Sequence, residues 1–185
     1  MATGDEGLNA RQLEAWILLV VLLEIAPPAI ERQLKADAGI NLFEYTVLAM
    51  LSEEPDRMLQ MARLAEVSFG SISRLSHAID RLERRGWVEK QAGGGNRRHN
   101  TVRLTDAGWA TVTEVAVGHV ANVRRLLVDP LTDSEVESFV RIGRKLIGAA
   151  EPDVLDRLDR QIPEILQRNL DGSADPGPPA PPAVR

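Results

Sequence analysis

Cysteine is absent from this chain of 185 residues. Its absence excludes disulfide bonds, thiolate metal sites and cysteine redox sensing, and it agrees with a reducing, cytoplasmic location. Aromatic residues are scarce at 4%, although 44% of all residues are hydrophobic. Leu, Val, Ile and Ala therefore supply most of the apolar surface, which favours packed helices over a β-sandwich.

Signals of export and catalysis are also missing. The N-terminus MATGDEGLNA lacks a basic region followed by a hydrophobic core. The apolar run 15–23 is shorter than the roughly 20 residues that span a bilayer. The sequence contains no Gly-rich phosphate loop or nucleophile elbow, and His77, His99 and His119 are too widely spaced for a zinc-like pair. We therefore predict a soluble protein that is not an enzyme, with no membrane span, metal or cofactor.

Positive charge is concentrated in one segment. Residues 57–103 contain ten Lys/Arg and four Asp/Glu, a net charge of +6. The whole chain carries −5, so the remainder carries −11. An acidic protein with a single basic segment has its attraction for phosphate in one place. This asymmetry favours nucleic acid as a partner, which the overall charge alone would not.

The helical spacing of apolar residues, with Pro, Gly and capping residues at the expected helix ends, predicts a mainly α-helical chain with a small β-wing. Asn41 with Glu44, and Thr132 with Glu135, have the spacing of capping boxes at two helix starts. Pro27 and Pro28 predict a bend or break in the first helical region. The predicted helices span 9–26, 28–38, 42–52, 60–66, 71–85, 105–128, 133–149 and 153–169, and the predicted strands span 87–91 and 101–105.

Two terminal regions have contrasting composition. Residues 9–26 are apolar on nearly every helical face, so this helix needs cover on every side, which a partner subunit would supply. From 171 onward, five of fifteen residues are Pro and little can pack, which predicts a disordered tail.

The helix at 71–85 has two faces. Its apolar stripe, expected to face the core, consists of Ile72, Leu75, Ile79 and Leu82. The predicted helices 60–66 and 71–85, joined by the turn 68–70, have the layout of a helix-turn-helix. The second helix of such a motif enters the major groove, where Arg bridges the two acceptors of guanine and Ser or His donates to bases or phosphates. The residues predicted to contact DNA from this helix are Ser71, Ser73, Arg74, His77 and Arg81. A solvated face with local pairs to Asp80 and Glu83 remains the alternative for Arg81, Arg84 and Arg85.

The hairpin tip between the two strands carries a second cationic pair. Three glycines, Gly93 to Gly95, permit backbone shapes closed to other residues. Arg97 and Arg98 follow them, and a narrow minor groove attracts inserted arginine. We therefore predict that Arg97 and Arg98 make the wing contact with DNA.

The ordered series GINLFEYTVLAMLSE, LQMARLAEVSFGSISRLSHAIDRLERRGWVEK and NRRHNTVRLTDAG resembles the MarR family (multiple antibiotic resistance regulator) over roughly residues 12–150. The resemblance implies a homodimeric winged helix-turn-helix regulator that binds a pseudo-palindromic operator in double-stranded DNA. It also implies repression and release by a small aromatic or anionic effector. The predicted regions are 9–40 and 106–170 for dimerisation, 41–105 for DNA binding and 171–185 as the tail.

This sequence departs from the family pattern in three places. Asn96 replaces the usual wing Asp, Pro27-Pro28 lies where the first helix is commonly continuous, and 152–185 extends beyond the usual end. A pocket for the effector is expected near the junction of the first, second and fifth helices of the family fold. Trp16, Phe43 and Tyr45 are available there, although aromatic residues on helices more often belong to the core. Regulation without a ligand, and a winged-helix docking module that does not read DNA, are the alternatives left open.

Overall fold

The structure is a computed structural model that describes residues 7–91 and 101–170. It is mainly helical with one small antiparallel sheet, as predicted. A π-helical turn, Arg124–Val128, follows the helix that begins at Asp106 and extends it to the end predicted at residue 128. The helices are α1 (Ala10–Ala38), α2 (Leu42–Ser52), α3 (Met61–Val67), α4 (Ile72–Arg84), α5 (Asp106–Val123), α6 (Asp133–Ala150) and α7 (Pro152–Leu170). The strands are β1 (Met58–Gln60), β2 (Val88–Gln91) and β3 (Thr101–Leu104).

The predicted break in the first helix is wrong: α1 is one continuous helix with Pro27 and Pro28 inside it. The two prolines remove two amide donors from the helix, but helical structure continues on both sides of them. Its first turn is closed by the Asn9 capping box, and its last turn ends at Gly39 in the left-handed conformation. Directly after the prolines, the Asn122 side-chain amide of α5 donates to the Ala29 carbonyl at 3.2 Å.

Both predicted capping boxes are confirmed. The Asn41 side chain accepts from the Glu44 amide, and the Glu44 carboxylate accepts from the Asn41 amide at 3.0 Å. At the start of α6, the Glu135 carboxylate accepts from the Thr132 amide at 2.8 Å. These local hydrogen bonds satisfy donors that a helix start leaves unpaired, so the two helix starts could be located from sequence.

The sheet has three strands in the order β1-β3-β2, and sequence analysis missed β1. Leu59 of β1 pairs with Val102, and Lys90 of β2 pairs with Val102 from the other side. With three residues, β1 is too short to show the alternation that identifies a strand. Its partner β3 supplies the hydrogen bonds that make it a strand, so only the tertiary structure reveals it.

The main apolar core lies between α2, α3, α4, the sheet and α5. Three of the four predicted core residues of α4, namely Leu75, Ile79 and Leu82, are buried, and Ala78 joins them. Ile72 is an exception because its side chain is 55% exposed. It has the angular position of the stripe, but as the first residue of the helix it lies beyond the packed layer.

Helix α7 forms the described part, 152–170, of the C-terminal extension, and the predicted tail 171–185 lies outside the described residues. Arg144 of α6 pairs with Asp159, so α7 folds back along α6. Its other end reaches α3, where Glu164 lies 3.6 Å from Arg63 and the Gln161 amide donates to the Glu66 carbonyl at 3.5 Å. The extension therefore connects the C-terminal helices to the helix-turn-helix of the same chain.

Candidate nucleic-acid interface

Helices α3 and α4, joined by a short turn, form a helix-turn-helix. Ser71 is the N-cap of α4, and its Oγ accepts from the Arg74 amide at 3.1 Å. The turn residue Phe69 has a positive φ of 52°. The five residues predicted to contact DNA from α4 are all exposed, namely Ser71, Ser73, Arg74, His77 and Arg81.

Arg74 lies at one side of the exposed face and is oriented by an aromatic ring. Its guanidinium carbon lies 4.2 Å from the centroid of the Phe43 ring on α2. Phe43 is itself held close to the turn, since a Cβ added at Gly70 would lie 2.4 Å from Phe43 Cζ. A cation stacked on a buried ring retains free N–H donors at its edge, so Arg74 is pre-positioned to donate to an acceptor.

The outermost line of α4 contains a residue missing from the predicted site. Ser73, His77 and Arg84 recur at spacings of four and seven, on the side opposite Leu75 and Leu82. Arg84 donates from Nε to the Asp80 carbonyl at 3.2 Å, which leaves its terminal nitrogens available. The eleven-residue spacing from Ser73 is the sequence signal that could have placed Arg84 on this face.

Two basic residues near the end of α4 take part in structural contacts. Arg81 pairs with Glu44, whose side chain is only 7% exposed. Arg85 donates to the Ala38 and Gly39 carbonyls at 2.6 and 2.9 Å, and so caps the end of α1. These contacts favour a positioning role for both arginines. They differ from the local pairs with Asp80 and Glu83 that were the sequence-based alternative.

The acidic residues Asp80 and Glu83 of α4 pair with Lys90 of β2 and not with the arginines of α4. The Lys90 ammonium group contacts both carboxylates. The hydrogen bonds lower the pKa of both carboxyl groups and raise the pKa of Lys90. Neutralising these acids beside the exposed face reduces their repulsion of phosphate, and it attaches the recognition helix to the wing sheet.

Most arginines of the basic segment that the structure describes pair with a carboxylate or donate to the carbonyls at the end of α1. The described arginines of this segment that do neither are Arg74, Arg84 and Arg103. Arg74 and Arg84 lie on α4, and Arg103 lies exposed on β3. The predicted wing contacts Arg97 and Arg98, together with Asn96, lie outside the described residues. Within the described residues of the basic segment, the arginines without these partners therefore lie on the recognition helix and on β3.

The three aromatic residues of the predicted effector region, Trp16, Phe43 and Tyr45, do not form one cluster. Phe43 lies under Arg74, while Trp16 is 56% exposed on α1. Tyr45 contacts His119, with ring centroids 4.2 Å apart, where α2 meets α5. No group of three or more His, Cys, Asp or Glu in 7–91 and 101–170 is arranged to hold a metal ion.

We expect the burial of His119, beside Tyr45, to make stability depend on pH. Burial lowers the pKa of His119 in the folded chain. Between its unfolded value of about 6.5 and this lower pKa, the unfolded chain binds more protons, so stability decreases as pH falls. Thermal unfolding should therefore show a larger loss of Tm for wild type than for His119→Gln between about pH 7.5 and 5.5. Equal losses in the two proteins would contradict this assignment, because their other titrating groups are the same.

Comparison with known proteins places this geometry in a family. Residues 38–99 match the sequence profile of the MarR family. The crystal structure of Sco3205 from Streptomyces coelicolor, a MarR family transcriptional regulator in complex with DNA, superposes with a TM-score of 0.75 at 32% identity. That match covers 82% of this chain and 94% of Sco3205.

Curated relatives match over shorter segments. The regulator PecS of Dickeya dadantii is 35% identical over 79 residues, which cover 43% of this chain and 45% of PecS. The transcriptional repressor MprA of Escherichia coli is 28% identical over 117 residues, which cover 63% of this chain and 65% of MprA. The chain thus spans less than two thirds of either relative.

The helix-turn-helix of α3 and α4, followed by the antiparallel strands β2 and β3, defines a winged helix-turn-helix protein. The similarity to Sco3205 extends over nearly the whole of that chain, including the helices on both sides of the winged helix. This chain belongs to the MarR family of transcriptional regulators.

Proposed function

We propose that this protein is a sequence-specific repressor of transcription that binds a pseudo-palindromic operator as a homodimer. The observation that carries the proposal is the exposed face of α4, on which Ser73, His77 and Arg84 form a line beside the oriented guanidinium of Arg74. Such donors suit base edges and phosphates in the major groove. The similarity to MprA, which is named a transcriptional repressor, supports repression.

The proposed dimer uses the apolar surface that the single chain leaves uncovered. An 18-residue window of α1 has a mean hydropathy of 2.0 and no buried residue. The exposed apolar residues outside the winged helix include Leu13, Trp16, Ile17, Val21, Val117, Val120, Phe139, Ile142, Leu146 and Leu166. Exposed apolar residues in this number are typical of an interface. We assign 9–40 and 106–170 to dimerisation and 41–105 to DNA binding.

A membrane is the other environment that could cover α1, which at 29 residues is long enough to cross one. This helix is longer than the apolar run 15–23, from which no membrane span was predicted. A second copy of the chain accounts for more of the structure, because the exposed apolar residues continue on α5, α6 and α7. A membrane span formed by α1 alone would leave those helices uncovered. We therefore propose a soluble, cytoplasmic dimer.

A docking module without DNA reading is the rival function. The core of a docking surface is expected to be depleted of charged residues and enriched in aromatic ones, whereas the exposed line of α4 carries Ser73, His77 and Arg84. Its acidic residue Asp80 is paired with Lys90. The charge of this face therefore favours DNA. We further propose that a small aromatic or anionic effector regulates binding from the region where α1, α2 and α5 meet.

The test of DNA binding is fluorescence anisotropy with the promoter DNA of the protein's own gene and with a scrambled duplex, over a series of salt concentrations. Contacts with phosphate release counterions, so affinity should fall steeply as salt rises. The promoter should bind much more tightly than the scrambled duplex. Weak and equal binding to both duplexes, together with capture of a protein partner by the face of α4, would support the docking module instead.

Arg74→Ala should weaken binding to the promoter by about 1–3 kcal/mol and should reduce discrimination against the scrambled duplex. The physical reason is the loss of the guanidinium that Phe43 orients at the edge of α4. The matched control is Arg141→Ala, which removes the same charge from α6. Anisotropy should show unchanged specificity for the control. If Arg74→Ala binds both duplexes as wild type does, Arg74 is not a base-reading residue.

A further inference from the structure

Ile72 is an exposed apolar residue at the start of the recognition helix. Its side chain is 55% exposed, whereas Leu75, one turn later, is fully buried. Within the described part of 41–105, the large hydrophobic residues that are exposed are Met58, Phe69 and Ile72. Two of these three therefore lie at the turn between α3 and α4 or directly after it.

Neither the core nor the proposed dimer surface covers Ile72. The core contacts of α4 begin at Leu75, and the exposed apolar residues assigned to the dimer lie on α1, α5, α6 and α7. The immediate neighbours of Ile72 are the capping residue Ser71 and the exposed Ser73, which belong to the proposed DNA-binding face. Ile72 and Ser71 both lie at the N-terminal end of α4, so a surface that docks against this end of the helix would cover Ile72 as well.

Helix geometry directs Ile72 toward the DNA. Side chains on a helix lean toward its N-terminus, so a first-turn side chain extends past the start of the helix. This is the end that a helix-turn-helix places against base edges. In the major groove, the apolar group available on a base is the C5-methyl of thymine. An aliphatic side chain at this position thus has an apolar contact that matches it.

We propose that Ile72 is a specificity-determining residue that recognises thymine through contact with its C5-methyl group. The proposal rests on the proposed function and specifies part of its operator. Arg74, two residues later, would donate hydrogen bonds to a base on the side of α4 that lies toward Phe43. Each half-site should therefore contain a thymine close to the base that Arg74 reads. Phe69 in the preceding turn is 43% exposed and is a second exposed apolar side chain close in sequence to the start of α4.

The experiment begins with selection of tight-binding duplexes from random DNA by wild-type protein. The selected operator is then synthesised twice, once with thymine and once with deoxyuridine, which lacks only the methyl group. We expect deoxyuridine to weaken wild-type binding about fourfold per half-site, the change that corresponds to about 0.8 kcal/mol for one buried methyl-sized group. Ile72→Ala should bind the thymine operator more weakly and should lose most of its sensitivity to deoxyuridine.

Ile72→Val is the conservative control, because it keeps a branched aliphatic group and should retain much of the sensitivity. Thermal unfolding of both variants should match wild type, since an exposed side chain contributes little to the core. If Ile72→Ala is as sensitive to deoxyuridine as wild type, the thymine contact is wrong while the proposed function stands. If wild type enriches no sequence from random DNA, the proposed function fails, and the recognition of thymine fails with it.

Discussion

Replacing Ile17 and Val21 together with aspartate is expected to convert the dimer into monomers and to weaken operator binding at least about 100-fold. The two residues lie four positions apart on one face of α1, and they are 51% and 47% exposed in the single chain. In the proposed dimer both would be buried against the second copy. Each aspartate would then carry an unpaired carboxylate into an apolar interface, which costs several kcal/mol.

Loss of the dimer should reduce DNA affinity because each monomer presents only one recognition helix. Two helices on one dimer bind linked half-sites, and the second contact benefits from a high effective concentration. Sedimentation velocity should report the change in mass, and anisotropy should report the change in affinity. The matched control is Ile17→Leu with Val21→Leu, which keeps the surface apolar and should leave a dimer that binds DNA.

Two outcomes would contradict the assignment of α1 to the dimer. A double aspartate variant that remains dimeric would place the interface elsewhere. Wild-type protein that partitions into lipid vesicles and is monomeric in detergent would identify the membrane as the cover for α1. In either case the winged helix could still bind DNA, so these outcomes are separable from failure of DNA binding.

Gly108→Ala is the second change with a large expected effect, here on folding stability. A Cβ at this position would lie 2.1 Å from the Trp87 carbonyl oxygen and 2.8 Å from Leu104 Cδ1. The Trp87 carbonyl is fixed, because it accepts from the Thr105 amide at 3.0 Å. The clash therefore cannot be relieved by rotating a side chain. We expect destabilisation of about 3 kcal/mol or more, measured by denaturant unfolding.

Gly143→Ala is the control for this prediction. Gly143 also lies within a helix, α6, but a Cβ there would meet no atom within 4 Å. The substitution should therefore be neutral or stabilise the protein by up to about 1 kcal/mol through helix propensity. If both alanine variants unfold at the same denaturant concentration, the close approach of α5 to the Trp87 carbonyl does not limit stability.

Local sequence determined where several elements begin. Asn41 with Glu44 and Thr132 with Glu135 close hydrogen bonds within one turn of helix, so residues three apart suffice to locate α2 and α6. The buried face of α4 follows from the spacing of Leu75, Ile79 and Leu82, because helical periodicity is a property of the local backbone. Exposure of Ser73, Arg74 and His77 on α4 follows from the same periodicity.

Contacts between distant residues determined the remaining features. Arg81 and Arg85 looked equivalent to Arg74 by charge, yet one pairs with Glu44 and the other caps α1 at Ala38. Strand β1 exists through its pairing with β3, and the exposure of Ile72 depends on where the core ends. The sequence alone determined the helical class, the capped helix starts and the basic winged helix. Tertiary structure decided which cations and which apolar side chains remain available, because availability depends on partners that are far away in the chain.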